Sequence, residues 1–168
     1  QILFAPDRNL GEYLKQKTGR DLLLWDGVCV VHEAFAVDKI KTLIKQYPNA
    51  LFIAHPESNA EVLQLASFVG STAGMIQKVK SDPATQFIIA TEAGILHEMQ
   101  KAVPNKTLIP APIKEQNTCA CSECVYMKMN TLEKVYLCLR DESPEVIIED
   151  SVRSKAIVPI ERMLALSN

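Results

Sequence analysis

Short apolar segments that alternate with amphipathic helices constrain the fold of this chain more than any other feature. Each of three apolar runs is followed by a polar turn and by a stretch with helical spacing; the runs are Ile2–Ala5, Leu51–Ala54 and Phe87–Ala90. A second short apolar run follows each helix, at Leu22–Trp25, Phe68–Val69 and Thr107–Ile109. Continuous apolar strands that alternate with helices are typical of parallel sheets buried on both faces. The sequence therefore predicts an α/β fold of three-layer αβα domains with short parallel sheets.

Local signals predict where individual helices begin. Ser58 is followed three residues later by Glu61, a capping-box pattern that predicts Ser58 as the cap of a helix. The chain after Cys124 is predicted to be helical, with a break at Asp141–Pro144. Pro159 suits the first turn of a final helix, because proline has no N–H to donate. Cys138 lies mid-helix between two leucines and is predicted to be a buried thiol.

Polar residues follow the predicted strands at the points where the strands end. In parallel α/β layers these loops gather at one edge of the sheet, and ligands bind there. Gly70-Ser71-Thr72 precedes a helix, where its hydroxyl and backbone N–H groups could bind an anion or simply cap the helix. The sequence predicts one shared mouth formed by Asp7, Cys29, His55, Glu57, Ser71, Thr72, Thr91, Glu92 and Cys124.

Composition narrows the expected partners and compartment. The net charge is −2 and the Lys and Arg residues are scattered, so we expect binding neither to nucleic acid nor to a membrane. No apolar stretch approaches about 18 residues, and the signal-peptide pattern is missing, so we expect a cytoplasmic protein. Five cysteines, an odd number, then favour free thiols, a metal or a cluster over a disulfide framework.

Two loops carry cysteines that could bind a metal. Thiolates that converge from separate loops, here from Cys29 and Cys124, suit a soft metal or an iron–sulfur cluster. As an alternative, Cys119, Cys121 and Cys124 could hold zinc with a fourth ligand, in a non-catalytic zinc-binding or interaction module. Their Cys-x-Cys spacing is tighter than is usual in structural zinc sites. The cluster is therefore the first hypothesis.

Histidines near these loops have both a structural and a functional interpretation. His32 lies three residues after Cys29 and faces the same side of a helical turn. Taken alone, such a histidine is more often structural than catalytic. His55 and Glu57 flank Pro56 in a strand-end turn, and a carboxylate is favourable at the N-terminus of the following helix in any case. The residues alone leave these alternatives open.

Six motifs together resemble bacterial quinolinate synthase, and they run in order along the whole chain. They are Ile-Leu-Phe-Ala-Pro-Asp-Arg-Asn-Leu-Gly (2–11), Trp-Asp-Gly-x-Cys-x-Val-His-Glu (25–33), His-Pro-Glu (55–57), Gly-Ser-Thr-Ala-Gly-Met (70–75), Cys-Val-Tyr-Met-Lys-Met-Asn (124–130) and Pro-Ile-Glu-Arg-Met-Leu (159–164). The resemblance implies a pseudo-threefold enzyme of three similar αβα domains, about twice as long as this chain. Residues 1–34 would be the C-terminal half of the middle domain, 35–124 the complete third domain and 125–168 a helical tail. The first domain would be absent and supplied in cis or in trans, and the isolated chain would be inactive.

The same resemblance implies the chemistry. The family condenses iminoaspartate with dihydroxyacetone phosphate to quinolinate in de novo NAD biosynthesis, with the open iron of a [4Fe-4S] cluster as Lewis acid. L-aspartate oxidase, as the source of the imine, is the expected functional partner. By motif, the cluster ligands would be Cys29 and Cys124, and the catalytic residues His32 and Glu57. The substrate-binding residues would be His55, Pro56, Glu57, Ser71 and Thr72.

Overall fold

The computed structural model describes residues 1–114 and 122–167, and the chain divides into two compact units, 1–125 and 126–168. In the first unit, two parallel sheets alternate with helices. One sheet pairs β1 (Ile2–Phe4) with β2 (Leu22–Leu24). The other has the strand order β4-β3-β5-β6, with β3 at Leu51–Ala54, β4 at Phe68–Val69, β5 at Gln86–Ala90 and β6 at Thr107–Pro110. Every pair is parallel, which confirms the predicted α/β class.

Helices lie between the successive strands of the first unit. Their bounds are α1 Arg8–Thr18, α2 Val30–Glu33, α3 Val37–Gln46, α4 Ala60–Leu65, α5 Thr72–Ser81 and α6 Ile95–Ala102. The side chain of Asp7 caps α1, and Gly19 ends that helix in the left-handed conformation that glycine adopts without strain.

The core of the larger sheet lies on both of its faces, because successive strand residues point to opposite sides. On one face Phe52 and Ile88 pack with Ile40 of α3 and Val62 of α4. The other face holds a second cluster, formed by Ile53, Phe87 and Ile89 with Met75 and Val79 of α5 and Met99 of α6. Helices therefore cover both faces of the sheet, and the predicted three-layer αβα arrangement is confirmed.

The predicted cap of α4 is wrong by one residue. The side chain of Asn59 accepts the hydrogen bond from Val62 N at 3.1 Å. Ser58 is fully buried, and its Oγ has no hydrogen-bond partner within the described ranges. Its backbone N donates to His55 O at 3.0 Å. Ser58 therefore closes the turn that carries His55 and Glu57, and the helix begins only after it.

The second unit is helical, as the sequence predicts. It contains α8 (Leu132–Asp141), which is capped by the Thr131 side chain, and α9 (Asp150–Leu166); α7 (Val125–Lys128) spans the boundary between the units. The predicted position of Pro159 is wrong: it lies inside α9, which begins nine residues earlier at Asp150. Cys138 is exposed rather than buried, since apolar spacing on a helix does not guarantee a covering neighbour. Among the helices of the described ranges, none is long and apolar enough to cross a membrane.

Candidate active site

The loops that carry the candidate residues begin side by side at the carboxyl edge of the larger sheet. His55 follows β3 directly, and its backbone N donates to Ala90 O, the last residue of β5, at 2.9 Å. Gly70, which follows β4, donates to Ala54 O at 3.2 Å. The loops after β3, β4 and β5 are thereby fixed next to one another at their first residues.

His32, His55 and Glu57 meet at this edge. Cys29 precedes the first turn of α2, so His32 comes one turn later, as the spacing predicts. The imidazole of His32 stacks on that of His55, with 4.4 Å between ring centroids and 17° between planes. Glu57 Oε2 lies 3.0 Å from His32 Nδ1 and 3.8 Å from His55 Nδ1. The structure thus brings His32 together with a turn, His55–Glu57, that is distant from it in sequence.

His32 is held in the interior of the site. It is 6% exposed, and its Nε2 lies 3.1 Å from the hydroxyl of Thr91, directly after β5. Although Glu57 Oε2 is close to Nδ1, the two atoms are not aligned for a hydrogen bond, and Nδ1 has no other partner in the described parts of the chain. A buried polar atom without a partner is costly and is a feature of functional sites.

Burial shifts the proton affinities of all three residues. Burial, together with a smaller effect of the neighbouring His55, lowers the pKa of His32 to about 4. Burial also lowers the pKa of His55, an effect partly opposed by the charge of Asp7. Burial raises the pKa of Glu57, and Asp7 raises that pKa further. At neutral pH His32 is therefore uncharged, and its 3.0 Å contact with Glu57 is not an ion pair.

Cys29 adds a sulfur donor to this group, and its sulfur, nitrogen and oxygen donors could together hold a metal ion. Cys29 Sγ, a ring nitrogen of His32 and a carboxylate oxygen of Glu57 lie within 4.8 Å of one another. Cys29 and Cys124 are both free, half-buried thiols. Accessible thiols that are not oxidised to a disulfide are the ligands that iron–sulfur clusters use. The residues present therefore fit such a cluster. Cys119 and Cys121, on which the zinc alternative depends, lie outside the described residues.

Ser71 and Thr72 lie at the N-terminus of α5. The Ser71 hydroxyl caps the helix by accepting from Gly74 N at 3.2 Å, and both residues are exposed. Their loop follows β4, the neighbour of β3, and so stands beside the His55 loop. Pro56 is buried within the turn between His55 and Glu57. Ser71 thus has the capping role that the sequence left open, and the backbone N–H groups of the first helical turn remain for an anion.

Two further residues organise the site: Asn9, which the sequence did not single out, and Thr91, which was predicted to lie in the mouth without a role of its own. Asn9 Nδ2 donates to Glu33 Oε2 at 2.8 Å and to Glu57 O at 3.0 Å, which ties the first turn of α1 to the His55 turn. Thr91 contacts His32, as described above. The only signal in the sequence for either residue is its position directly or shortly after a strand end.

Two acidic residues hold the cysteine loops. Asp7 Oδ2 accepts a hydrogen bond from Cys29 N at 2.9 Å, and Glu92 Oε1 accepts one from Cys124 N at 3.2 Å. Because Glu92 is adjacent to Thr91, which contacts His32, short links connect the Cys124 loop to the histidine group. Each cysteine is therefore anchored to a residue that follows a strand end, Cys29 to Asp7 after β1 and Cys124 to Glu92 after β5.

Known proteins match this chain over nearly all of its residues. Residues 1–165 match the family model described as NadA: Quinolinate synthetase A protein. The chain is 53% identical to the quinolinate synthase of Synechococcus sp., over 99% of this chain and 52% of that protein. It is 53% identical to the quinolinate synthase of Microcystis aeruginosa, over 99% and 51%, and 48% identical to that of Chloroherpeton thalassium, over 99% and 52%. The chain thus spans about half the length of the curated relatives it matches.

Proposed function

This chain belongs to the quinolinate synthetase A family, and from that premise we propose that it forms the part of a quinolinate synthase that carries the proton-transfer group and two cluster ligands. The proposed reaction condenses iminoaspartate with dihydroxyacetone phosphate, with loss of phosphate and two water molecules, in de novo NAD biosynthesis. L-aspartate oxidase would supply the imine. The further region present in the relatives would complete the enzyme, in cis or in trans.

Cys29 and Cys124 would hold a [4Fe-4S] cluster. When bound, the cluster supplies an open iron that acts as a Lewis acid toward a substrate oxygen. The half-burial of both thiols supports this assignment, because a cluster ligand must be shielded yet reach the pocket. A further thiolate would come from the region of the relatives that this chain does not cover.

His32 and Glu57 would move protons at the substrate. His32 is neutral and, because its pKa is low, would release quickly any proton that it takes up. Within the described residues its Nδ1 has no hydrogen-bond partner, so this nitrogen would be the one that takes up the proton. Glu57 holds a proton more readily than an ordinary glutamate, because burial and Asp7 raise its pKa. A base and an acid side by side, with their pKa values shifted toward each other's range, form an arrangement suited to general acid–base catalysis.

His55, Ser71 and Thr72 would bind the anionic groups of the substrates, with Pro56 fixing the turn. His55 Nδ1 accepts a hydrogen bond from Glu57 N at 3.3 Å, so in neutral His55 the hydrogen resides on Nε2. Nε2 would then donate to a substrate carboxylate. The first turn of α5, a helix of ten residues, offers backbone N–H groups and the positive end of its dipole to a carboxylate or phosphate.

One observation carries the proposal: a buried, uncharged His32 lies between Glu57 and Thr91, one helical turn after Cys29. A full-length protein carrying this sequence should be assayed anaerobically for iron, sulfide and quinolinate. We expect Cys29→Ala to lose both cluster and product. His32→Gln should keep the cluster and lose about 100-fold or more in rate. Cys138→Ala, which changes an exposed thiol, should retain both.

Other outcomes would contradict the proposal. Stoichiometric zinc without sulfide would favour the zinc-binding alternative at Cys119, Cys121 and Cys124. Full activity of His32→Gln would remove His32 from the chemistry. We expect the 168-residue chain alone to form no quinolinate and to gain activity when the remaining region of a relative is supplied. Clear turnover by the isolated chain would show that the further region is not needed.

A further inference from the structure

Asp7 and Glu92 use their carboxylates in the same way, although they belong to different sheets. Each follows the end of a strand, Asp7 after β1 and Glu92 after β5. One oxygen of each accepts from a backbone N–H nearby in sequence: Asp7 Oδ1 from Leu10 N in the first turn of α1, and Glu92 Oε2 from Gly94 N, both at 2.7 Å. The other oxygen accepts from the backbone N–H of a cysteine.

The cysteines reached in this way are the two proposed cluster ligands. The Cys29 N to Asp7 Oδ2 distance is 2.9 Å, and the Cys124 N to Glu92 Oε1 distance is 3.2 Å. These bonds span 22 and 32 residues of sequence, so neither arises from local turn geometry. Asp7 is only 4% exposed, and a buried carboxylate that accepts two N–H bonds strongly restricts both loops.

A glycine permits the close approach in each loop. A Cβ at Gly94 would lie 2.7 Å from Glu92 Oε2, the oxygen that accepts from Gly94 N. A Cβ at Gly27 would lie 2.6 Å from Pro6 O, in the peptide that leads into Asp7. Gly27 O also accepts from Arg8 N at 2.7 Å, which joins the two loops directly. A larger residue at either position would displace the carboxylate or its loop.

We propose that Asp7 and Glu92 are paired positioning residues that orient Cys29 and Cys124 for the cluster. This inference rests on the proposed function. A charge-assisted bond to the cysteine N–H fixes the direction of its Cα–Cβ bond and hence of its thiolate. The same bond occupies an N–H that could otherwise donate to a cluster sulfur. Each carboxylate also places a negative charge near the cluster, and charge and N–H donors near the sulfurs set the reduction potential.

The test compares Asp7→Asn and Glu92→Gln with Asp82→Asn in the full-length, cluster-loaded protein. Asp82 is a matched control: its carboxylate also accepts a backbone N–H, from Ala84 at 2.9 Å, but it lies at the C-terminal end of α5, away from the strand-end loops. Two quantities are measured anaerobically: the rate of iron release to a chelator and the midpoint potential of the cluster. Unfolding in urea is measured in parallel.

We expect Asp7→Asn and Glu92→Gln to release iron about 10- to 100-fold faster than wild type, the usual cost of losing an outer-shell partner. Their potentials should become more positive, because a negative charge is removed and an N–H is freed, both of which favour the reduced cluster. Asp82→Asn should match wild type in both measurements. If Asp7→Asn fails to fold because the buried amide has only one oxygen to accept from Leu10 N and Cys29 N, Glu92→Gln carries the test.

Unchanged iron release and potential in the Glu92 variant would overturn the proposal. So would faster release that merely follows global unfolding, without a shift in potential, since that is the result expected of a structural residue. A wild-type protein that assembles no cluster would instead refute the proposed function. The two failures are therefore distinguishable.

Discussion

Acid should destabilise the folded apo-protein through His32. Burial and, to a smaller extent, the neighbouring His55 lower the pKa of this residue from 6.5 to about 4. Between these values the unfolded chain binds a proton at His32 that the folded chain does not bind. Stability therefore rises with pH across this window, and it is lost as the pH falls from about 6.5 toward 4.

The size of the effect follows from the difference between the two pKa values. A shift of about 2.5 units corresponds to about 3 kcal/mol in total, of which about 2 kcal/mol falls between pH 7 and pH 5. His55, whose pKa is also lowered, contributes in the same direction. Glu57 opposes them. Its pKa is raised, so above the ordinary glutamate pKa the folded state binds more protons than the unfolded state, and the contribution of Glu57 to stability falls as the pH rises. The net slope contains all three contributions, so a variant is needed to isolate His32.

Urea unfolding of the apo-protein at pH 7 and pH 5 measures this slope, with iron removed so that acid loss of a cluster does not contribute. We expect His32→Gln to lose less stability than wild type between the two pH values, by about 2 kcal/mol. His97→Gln, which changes an exposed histidine on α6, should keep the wild-type slope. An identical pH dependence in His32→Gln and wild type would refute the assignment of the slope to His32.

Two further predictions concern stability. Phe87→Ala should reduce the free energy of unfolding by about 3–5 kcal/mol, because its fully buried ring fills the core between β5 and the helices α5 and α6; a loss below about 1 kcal/mol in urea unfolding would contradict this. Pro159→Ala should stabilise α9 by up to about 3 kcal/mol, because proline inside a helix removes a hydrogen bond and crowds the preceding turn. Far-UV circular dichroism during thermal unfolding measures the gain, and an unchanged or lower midpoint would count against it.

Much of the fold could be predicted because it depends on local patterns. Strand β3 at Leu51–Ala54 and strand β4 at Phe68–Val69 have the predicted bounds. A short continuous apolar run between polar turns is typical of a buried strand. The errors occur where tertiary contacts decide. Ser58 resembled a helix cap in the sequence, but its backbone N–H closes the His55 turn instead. Helix α9 continues through Pro159, although the sequence predicted a shorter helix with Pro159 in its first turn.

The sequence predicts which strand-end residues form the site, but it does not predict the contacts between their side chains. Strand-end positions predict that Cys29, His55 and Glu57 reach the same edge, and spacing predicts that His32 faces the side of Cys29. Neither signal predicts that the imidazoles of His32 and His55 stack. The bonds from Asp7 and Glu92 to the cysteine backbones connect residues far apart in sequence, and no spacing rule relates such positions. Burial, which shifts the pKa values, depends on the same long-range packing.

Asp7 connects the two halves of the proposed chemistry. Its carboxylate holds Cys29 through a hydrogen bond, and its charge also raises the pKa of both His55 and Glu57. A change at Asp7 would therefore alter the cluster loop and the proton-transfer group together. Negative charge added at Cys29, whether as a thiolate or on a bound cluster, would favour protonation of the neighbouring His32 in the same way. The proton affinity of the histidine group is thus coupled by geometry to the state of the cysteine beside it.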